Sequence, residues 1–259
     1  MTPDITERFI ADFIHEFGTE KAMKLSDERS LAGVTNWVPV LKSMQKALHT
    51  PGLPEGRMVL IHGKESVGKS TFGLYLVKMI QKAGGVVAIF DQEFAITPEW
   101  ATGVGVDPDR AGRLEAEYLE ELFANMERFI LKVAKKYSGK LPVGILVDTI
   151  SATPPKEEVT IKKGKKGGQN EGYERTSMGL TARVVSKAFR RLMPLISKHR
   201  IILITIVQEK EKIGIMFGDR DDFVAKRPLS FYSTYIIKLR RLGNTKDGII
   251  VVGKVKKNK

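Results

Sequence analysis

Residues Gly63-Lys64-Glu65-Ser66-Val67-Gly68-Lys69-Ser70 set two glycines, a lysine and a hydroxyl at the spacing G-x-x-x-x-G-K-[ST]. Both the residue types and the spacing matter. Glycines let successive backbone N–H groups curl inward around phosphate oxygens. A helix beginning near Lys69 aims the positive end of its dipole at the same oxygens. Lys69 then reaches the β- and γ-phosphates of a nucleoside triphosphate, and the Ser70 hydroxyl binds Mg²⁺. Glu65, Ser66 and Val67 supply the backbone between. A chance match in a chain this long is about one in a hundred. The competing reading is an ordinary glycine turn, which has no need of the strand before the loop and the helix after it.

Two carboxylates complete the candidate chemistry. Asp148 ends the apolar run Val143–Val147, where a P-loop protein keeps a carboxylate near Mg²⁺. Glu93 follows the apolar run Val86–Phe90. There it either polarises a water for in-line attack on the γ-phosphate or is a surface glutamate.

Charge points to a second partner. The 259 residues hold 43 Lys and Arg against 30 Asp and Glu, a net of +13. Residues 1–155 hold 18 basic and 20 acidic side chains, and residues 156–259 hold 25 and 10. The surplus therefore lies wholly in the last part, which reads as a surface for a polyanion or as a solvated face. There is no cysteine, which excludes disulfides, thiolate metal sites and a cysteine nucleophile. The four histidines, His15, His49, His62 and His199, show no metal-ligand spacing. No apolar run approaches the length of a membrane span and no leader pattern opens the chain, so a soluble cytoplasmic protein is expected.

The elements that must position these residues can be read from periodicity. Phe9, Ile10, Phe13, Ile14 and Phe17 recur at helical spacing over 5–17. From Met58 short apolar strands alternate with helices. The strands are 58–62, 86–90, 143–147 and 201–207. The helices are 70–82, a stripe from Leu119 to Ala134 that includes Val133, and 178–198, which Pro194 is expected to kink or divide. This pattern predicts an α/β fold, a mostly parallel sheet covered on both faces. Tyr235–Leu239 and Ile249–Val255, flanking Asp247-Gly248, predict a C-terminal antiparallel pair. Residues 154–177 and 209–230 are polar, basic and loop-like. Both follow carboxyl ends of strands, where open α/β sheets bind ligands. Arg183, Lys187, Arg190 and Arg191 recur every three to four residues, which places them on one helix face. With Lys210 and Lys212 they would line a groove that tracks a nucleic-acid backbone without reading sequence.

At this point the residues resemble a family, the bacterial RecA recombinases and their UvsX-type phage relatives. The stretches that carry it are GLPEGRMVLIHGKESVGKST (52–71), FDQEFAITPEWATGVGVD (90–107), SMGLTARVVSKAFRRL (177–192), EKIGIMFGD (211–219), LSFYS (229–233) and KLRR (238–241). The resemblance implies a RecA-like ATPase core over 36–259, with DNA loops at about 154–177 and 209–230, and an N-terminal helical, oligomerising segment over 1–35. It implies ATP and Mg²⁺ held by Lys69, Ser70 and Thr71, Asp148 supporting Mg²⁺, Glu93 activating water and Gln208 sensing the γ-phosphate. Trp100 falls where the family stacks on adenine. Arg183, Ser186 and Arg190 fall on DNA-backbone positions, and Met178 and Ile213 where apolar side chains wedge between bases. Lys257 and Lys259 fall where lysines reach a neighbour's ATP. The residues alone leave Trp100, Met178 and Ile213 open to plain packing roles, and Phe231 either a subunit anchor or a core aromatic.

The sequence also departs from the family. Thr97 stands where an aspartate near adenine is usual. Val207 precedes Gln208 where asparagine is usual. Ala225, Lys226 and Arg227 stand roughly where a Gly-Gly-Asn turn is expected, and the first DNA loop is enlarged with Lys162, Lys163, Lys165 and Lys166. The family's final core strands and C-terminal domain are not found, so the chain is expected to be either a natural compact form or a shortened one. The implied activity is an ATP-dependent recombinase. It would coat single-stranded DNA as a helical filament, pair it with homologous duplex and hydrolyse ATP when DNA is bound. The alternatives are a RecA-fold motor or regulator of the helicase or RadA/KaiC kind, and a DNA-coating protein with degenerate catalysis.

Overall fold

The computed structural model describes residues 5–17, 36–159, 162–163, 169–170, 179–211 and 221–258. The chain divides into two units, Met1–Asn36 and Trp37–Lys259. In the first unit the helical periodicity forms α1 (Ile5–Phe17), along which Phe9 and Phe13, one turn apart, stack with ring centroids 6.3 Å apart.

The second unit runs β1 (Trp37–Pro39), α2 (Lys42–Leu48), β2 (Gly52–Pro54), β3 (Met58–Gly63), α3 (Lys69–Lys82), β4 (Val86–Asp91), α4 (Pro98–Val104), β5 (Ala111–Leu114), α5 (Leu119–Lys132) and β6 (Val143–Asp148). It continues through α6 (Lys156–Val159), β7 (Lys162–Lys163), β8 (Gln169–Asn170), α7 (Leu180–Lys198), β9 (Ile201–Glu211), β10 (Asp221–Phe223), α8 (Lys226–Tyr232), β11 (Tyr235–Thr245) and β12 (Gly248–Asn258). The main sheet has the order β12-β11-β3-β9-β6-β4-β5, with β10 on the extension of β9. All its neighbours are parallel except the hairpin β11–β12 and the short pair β9–β10.

Strand alternation sorts the core into two layers. Met58, Leu60, Phe90, Val147 and Leu203 meet α5, α7 and α8, while Val59, Ile61, Ile89, Leu146 and Ile204 meet α3. Strands buried on both faces must be apolar throughout, which is why β3 and β6 read as unbroken runs. Gly73 brings α3 onto the sheet. A Cβ there would lie 2.9 Å from Ile206 Cδ1 and 3.1 Å from Leu146 Cδ1. Helices that connect parallel strands run against them, so α3 and α7 both begin at the carboxyl edge of the sheet.

Several expectations are corrected. Pro194 neither ends nor divides α7, which is one helix of 19 residues. Its buried face, Val185, Phe189, Leu192 and Ile196, lies on both sides of the proline. Val133 is 44% exposed because α5 ends at Lys132. The stretch 209–230 is not simply loop-like. Strand β9 runs on to Glu211, β10 pairs back on Glu209–Glu211, and α8 follows. Edge strand β5 carries no clear sequence signal, since AGRL is short and mostly exposed.

Candidate functional site

The glycine-rich sequence bridges β3 and α3. Strand β3 is wholly buried between β9 and β11, so Gly63 leaves the sheet at its centre. Ser66 takes φ +56° and Gly68 φ +82°, left-handed conformations that turn the chain sharply back. Gly68 pays no Cβ penalty for this and is the N-cap of α3. Val67, 6% exposed, anchors the turn in the core. Lys64, Glu65, Ser66 and Thr71 are exposed. Lys69 Nζ folds back over the turn and donates to the Lys64 carbonyl at 2.7 Å. Burial pulls the Lys69 ammonium below the ordinary lysine range, opposed by the fields of Glu93, Asp148, Glu209 and Glu65.

Asp148 ends β6, paired in register with Asp91 at the end of β4. It is 3% exposed. Burial raises its carboxyl to about 6, helped by the charges of Glu93 and Asp91 and opposed by a hydrogen bond with Ser70 and by Lys69. Its Oδ1 meets no hydrogen-bond partner. A buried, orphaned carboxylate oxygen next to a serine hydroxyl at a helix N-terminus fits a hard divalent cation. Among the described residues no three His, Cys, Asp or Glu side chains form a metal cage. Such a cation would therefore depend on Ser70, Asp148 and phosphate oxygens together.

Glu93 lies two residues past β4, exposed, in a turn where Phe94 takes φ +54°. Asp91 shapes this turn. Its Oδ2 accepts from the Ile96 N–H at 3.0 Å and meets Arg113 Nη2 at 3.1 Å, and Arg113 Nη1 donates to the Ile96 carbonyl at 2.9 Å. Sequence reading missed Arg113, because only the pairing of β4 with β5 brings it near.

Gln208 and Gly63 are register partners on adjacent parallel strands. The Gln208 N–H donates to Ser151 Oγ at 3.0 Å, and Thr149 Oγ1 donates to the Ile206 carbonyl at 2.6 Å. The segment after Asp148 is thereby tied to the end of β9. Trp100 is half-buried on α4, and its backbone N–H donates to Thr97 Oγ1 at 3.2 Å. Thr97, the departure from an expected aspartate, thus acts as the helix N-cap.

A second concavity lies between α7 and α8. This groove of about 710 Å³ is lined by Arg183, Ser186, Lys187, Arg190, Arg227 and Phe231, among others. Arg191 does not join it. Its guanidinium pairs with Glu127 of α5 at 2.8 Å, on the other side of the helix. Lys226 Nζ sits 6.0 Å from the Phe223 ring centroid. Phe231 is 68% exposed, which removes its reading as a core aromatic. Lys257 Nζ donates to the carbonyls of Ser230 and Phe231 at the end of α8. Met178, Lys212, Ile213 and Lys259 lie outside the described residues, as do Lys165 and Lys166. Lys210 is on β9. No helix among the described residues is long and apolar enough to cross a membrane.

A mostly parallel sheet whose central strand turns through a glycine-rich loop into a helix N-terminus defines an α/β domain of the P-loop class. Comparison with known proteins narrows the class. The RecA N-terminal domain family model matches residues 5–259. Among curated proteins, Protein RecA of Macrococcus caseolyticus is 36% identical over 250 residues, which cover 94% of this chain and 65% of the relative. Protein RecA of Staphylococcus carnosus is 35% identical over 248 residues, with 94% and 65% covered. That of Staphylococcus epidermidis is 35% identical over 248 residues, with 94% and 66% covered. The chain thus spans about two thirds of the length of the curated relatives it matches, and it belongs to the RecA family.

Proposed function

We propose that the chain is a DNA-dependent ATPase of the recombinase type. It acts in the cytoplasm of a bacterial or phage-infected cell. It binds single-stranded DNA, polymerises into a helical filament with ATP at subunit interfaces, and promotes pairing and strand exchange with homologous duplex. The observation that carries this reading is one continuous segment. Strand β9 passes Gly63 at Gln208 and leads through β10 into α8, a wall of the basic groove.

In this reading the loop amides and Lys69 hold the triphosphate, and Ser70 and Asp148 hold Mg²⁺. When bound, the cation neutralises charge on the phosphate oxygens. Glu93 orients a water in line with the γ-phosphate and accepts its proton as ATP becomes ADP and phosphate. Trp100 packs beside the base. Arg183, Ser186, Arg190, Lys210, Lys212, Lys226 and Arg227 hold the DNA backbone, giving affinity without sequence preference. Met178 and Ile213 separate bases. Lys257 and Lys259 act on a neighbour's ATP, as an arginine finger supplied in trans would. The segment 1–35 joins successive subunits.

The test is ATP hydrolysis measured with and without single-stranded DNA. Wild type is stimulated by DNA, and Lys69→Ala abolishes turnover. Near-normal turnover by Lys69→Ala removes the phosphate-site assignment.

A further inference from the structure

Beneath the phosphate loop lies a charged cluster that the chemistry above does not use. His62 Nδ1 sits 2.6 Å from Glu209 Oε1, with side chains 3% and 6% exposed. Lys238 Nζ lies 3.5 Å from the same oxygen, its side chain 22% exposed. The three residues come from β3, β9 and β11, adjacent strands at the centre of the sheet, and His62 and Lys238 are register partners.

Their sequence neighbours give the cluster its meaning. His62 directly precedes Gly63, where the phosphate loop begins. Glu209 directly follows Gln208, the register partner of Gly63. On its other side Glu209 pairs with Phe223 of β10, and the Phe223 ring meets the His62 ring at 5.1 Å between centroids. The field of Glu209 also acts on Lys69. Glu209 is therefore tied through its carboxylate to β3, which enters the phosphate loop, and to β11, and through its backbone pairing to β10, which precedes α8.

Packing alone does not call for such a group. The same face is otherwise filled by Met58, Leu60, Leu203, Val207 and Ile236, and a buried carboxylate, even when partnered, often stabilises no more than apolar side chains of equal volume. What it adds is directional. A displaced partner leaves a buried charge uncompensated, so the strands resist moving independently.

We propose that His62, Glu209 and Lys238 form a positioning cluster that couples the phosphate loop to the β9–β10 strand pair and so to the basic groove. This rests on the functional reading above. The cluster touches neither nucleotide nor DNA. It keeps Gln208 in step with Gly63, so that a change at the phosphates is felt at α8.

The test compares wild type with Glu209→Gln, His62→Gln, Lys238→Met and Lys238→Arg, measuring hydrolysis with and without single-stranded DNA and DNA affinity with and without ATP. Glu209→Gln and His62→Gln are expected to keep the DNA-free rate and the KM for ATP. They are expected to lower the DNA-stimulated kcat, and the gain in DNA affinity that ATP confers, by about five- to fiftyfold. Lys238→Met shifts both in the same direction and Lys238→Arg restores them. Lys238 is the most exposed of the three, so its pair of variants reports even if a change at the buried pair prevents folding. Folded variants that keep wild-type stimulation and the wild-type ATP-dependent gain overturn the proposal. So does a loss confined to the KM for ATP, which would make the cluster a support for the phosphate loop alone. A wild-type chain whose hydrolysis ignores DNA removes the functional reading itself, a result visible before any variant is made.

Discussion

Asp91 and Arg113 meet at 3.1 Å across the edge pair β4–β5, and between them they bracket the Ile96 peptide from both sides. Asp91 is fully buried. The turn bearing Glu93 is thus held at one end by strand pairing and at the other by this ion pair. Arg113→Met is expected to leave Asp91 with a buried charge short of a partner, costing about 1–3 kcal/mol in stability. Because the turn loosens, hydrolysis should fall by about tenfold while nucleotide binding persists. Denaturant unfolding and steady-state ATPase assays check the two parts separately.

Glu93 itself makes a sharper prediction. Glu93→Gln keeps the shape of the turn and removes the proton acceptor. Nucleotide binding is expected to stay near wild type while turnover falls by about 10²–10⁴-fold. Fluorescent-nucleotide titration beside phosphate-release kinetics distinguishes this from a binding defect, and preserved turnover removes Glu93 as the base.

Asp148 predicts a pH dependence. Its folded-state pKa, about 6, lies above the ordinary carboxyl value of 3.8 because the ionised form is buried. The folded chain therefore binds this proton more tightly than the unfolded chain. Its contribution to stability declines as pH rises from about 4 to about 6 and stays low above that window. Asp148→Asn should accordingly stabilise the nucleotide-free chain by about 1–3 kcal/mol at pH 8 and have little effect at pH 4. Function has the opposite sign. Holding Mg²⁺ needs the ionised carboxylate, and the bound cation itself favours that form, so hydrolysis at saturating Mg²⁺ should fall only as pH drops below about 6. Thermal melts at the two pH values and a pH–rate profile check both halves.

The groove makes an electrostatic prediction. Arg183, Arg190 and Arg227 line one concavity. If each contacts a phosphate, replacing all three by alanine should weaken single-stranded DNA binding. It should also reduce the slope of log affinity against log salt by about 2. Arg191→Ala, on the α5 side of the helix, should leave the slope unchanged. Binding isotherms across a salt series measure both, and an unchanged slope in the triple variant contradicts the groove as the DNA site.

The parts legible in the sequence are those set by local pattern. The unbroken apolar runs at β3, β4, β6 and β9 and the spacing from Gly63 to Ser70 carry their own signal, because buried parallel strands and phosphate loops each demand particular residues in series. What escaped reading depends on tertiary pairing. Arg113 reaches Asp91 only through β5, a strand too short and exposed to announce itself. His62 and Glu209 are 147 residues apart, and only the register of β3 with β9 shows them to be one cluster. Pro194 does not divide α7, because its local cost is outweighed by the buried stripe on both sides. Arg191 misled because helical spacing gives a face but does not say which neighbour each arginine on its margin will meet.

The central claim is that ATP joins copies of this chain on single-stranded DNA. Electron microscopy of the wild-type protein with single-stranded DNA and a non-hydrolysable ATP analogue tests it most directly. A continuous helical filament that requires both the analogue and the DNA is the predicted result. Closed rings, or coated DNA indifferent to nucleotide, would contradict it.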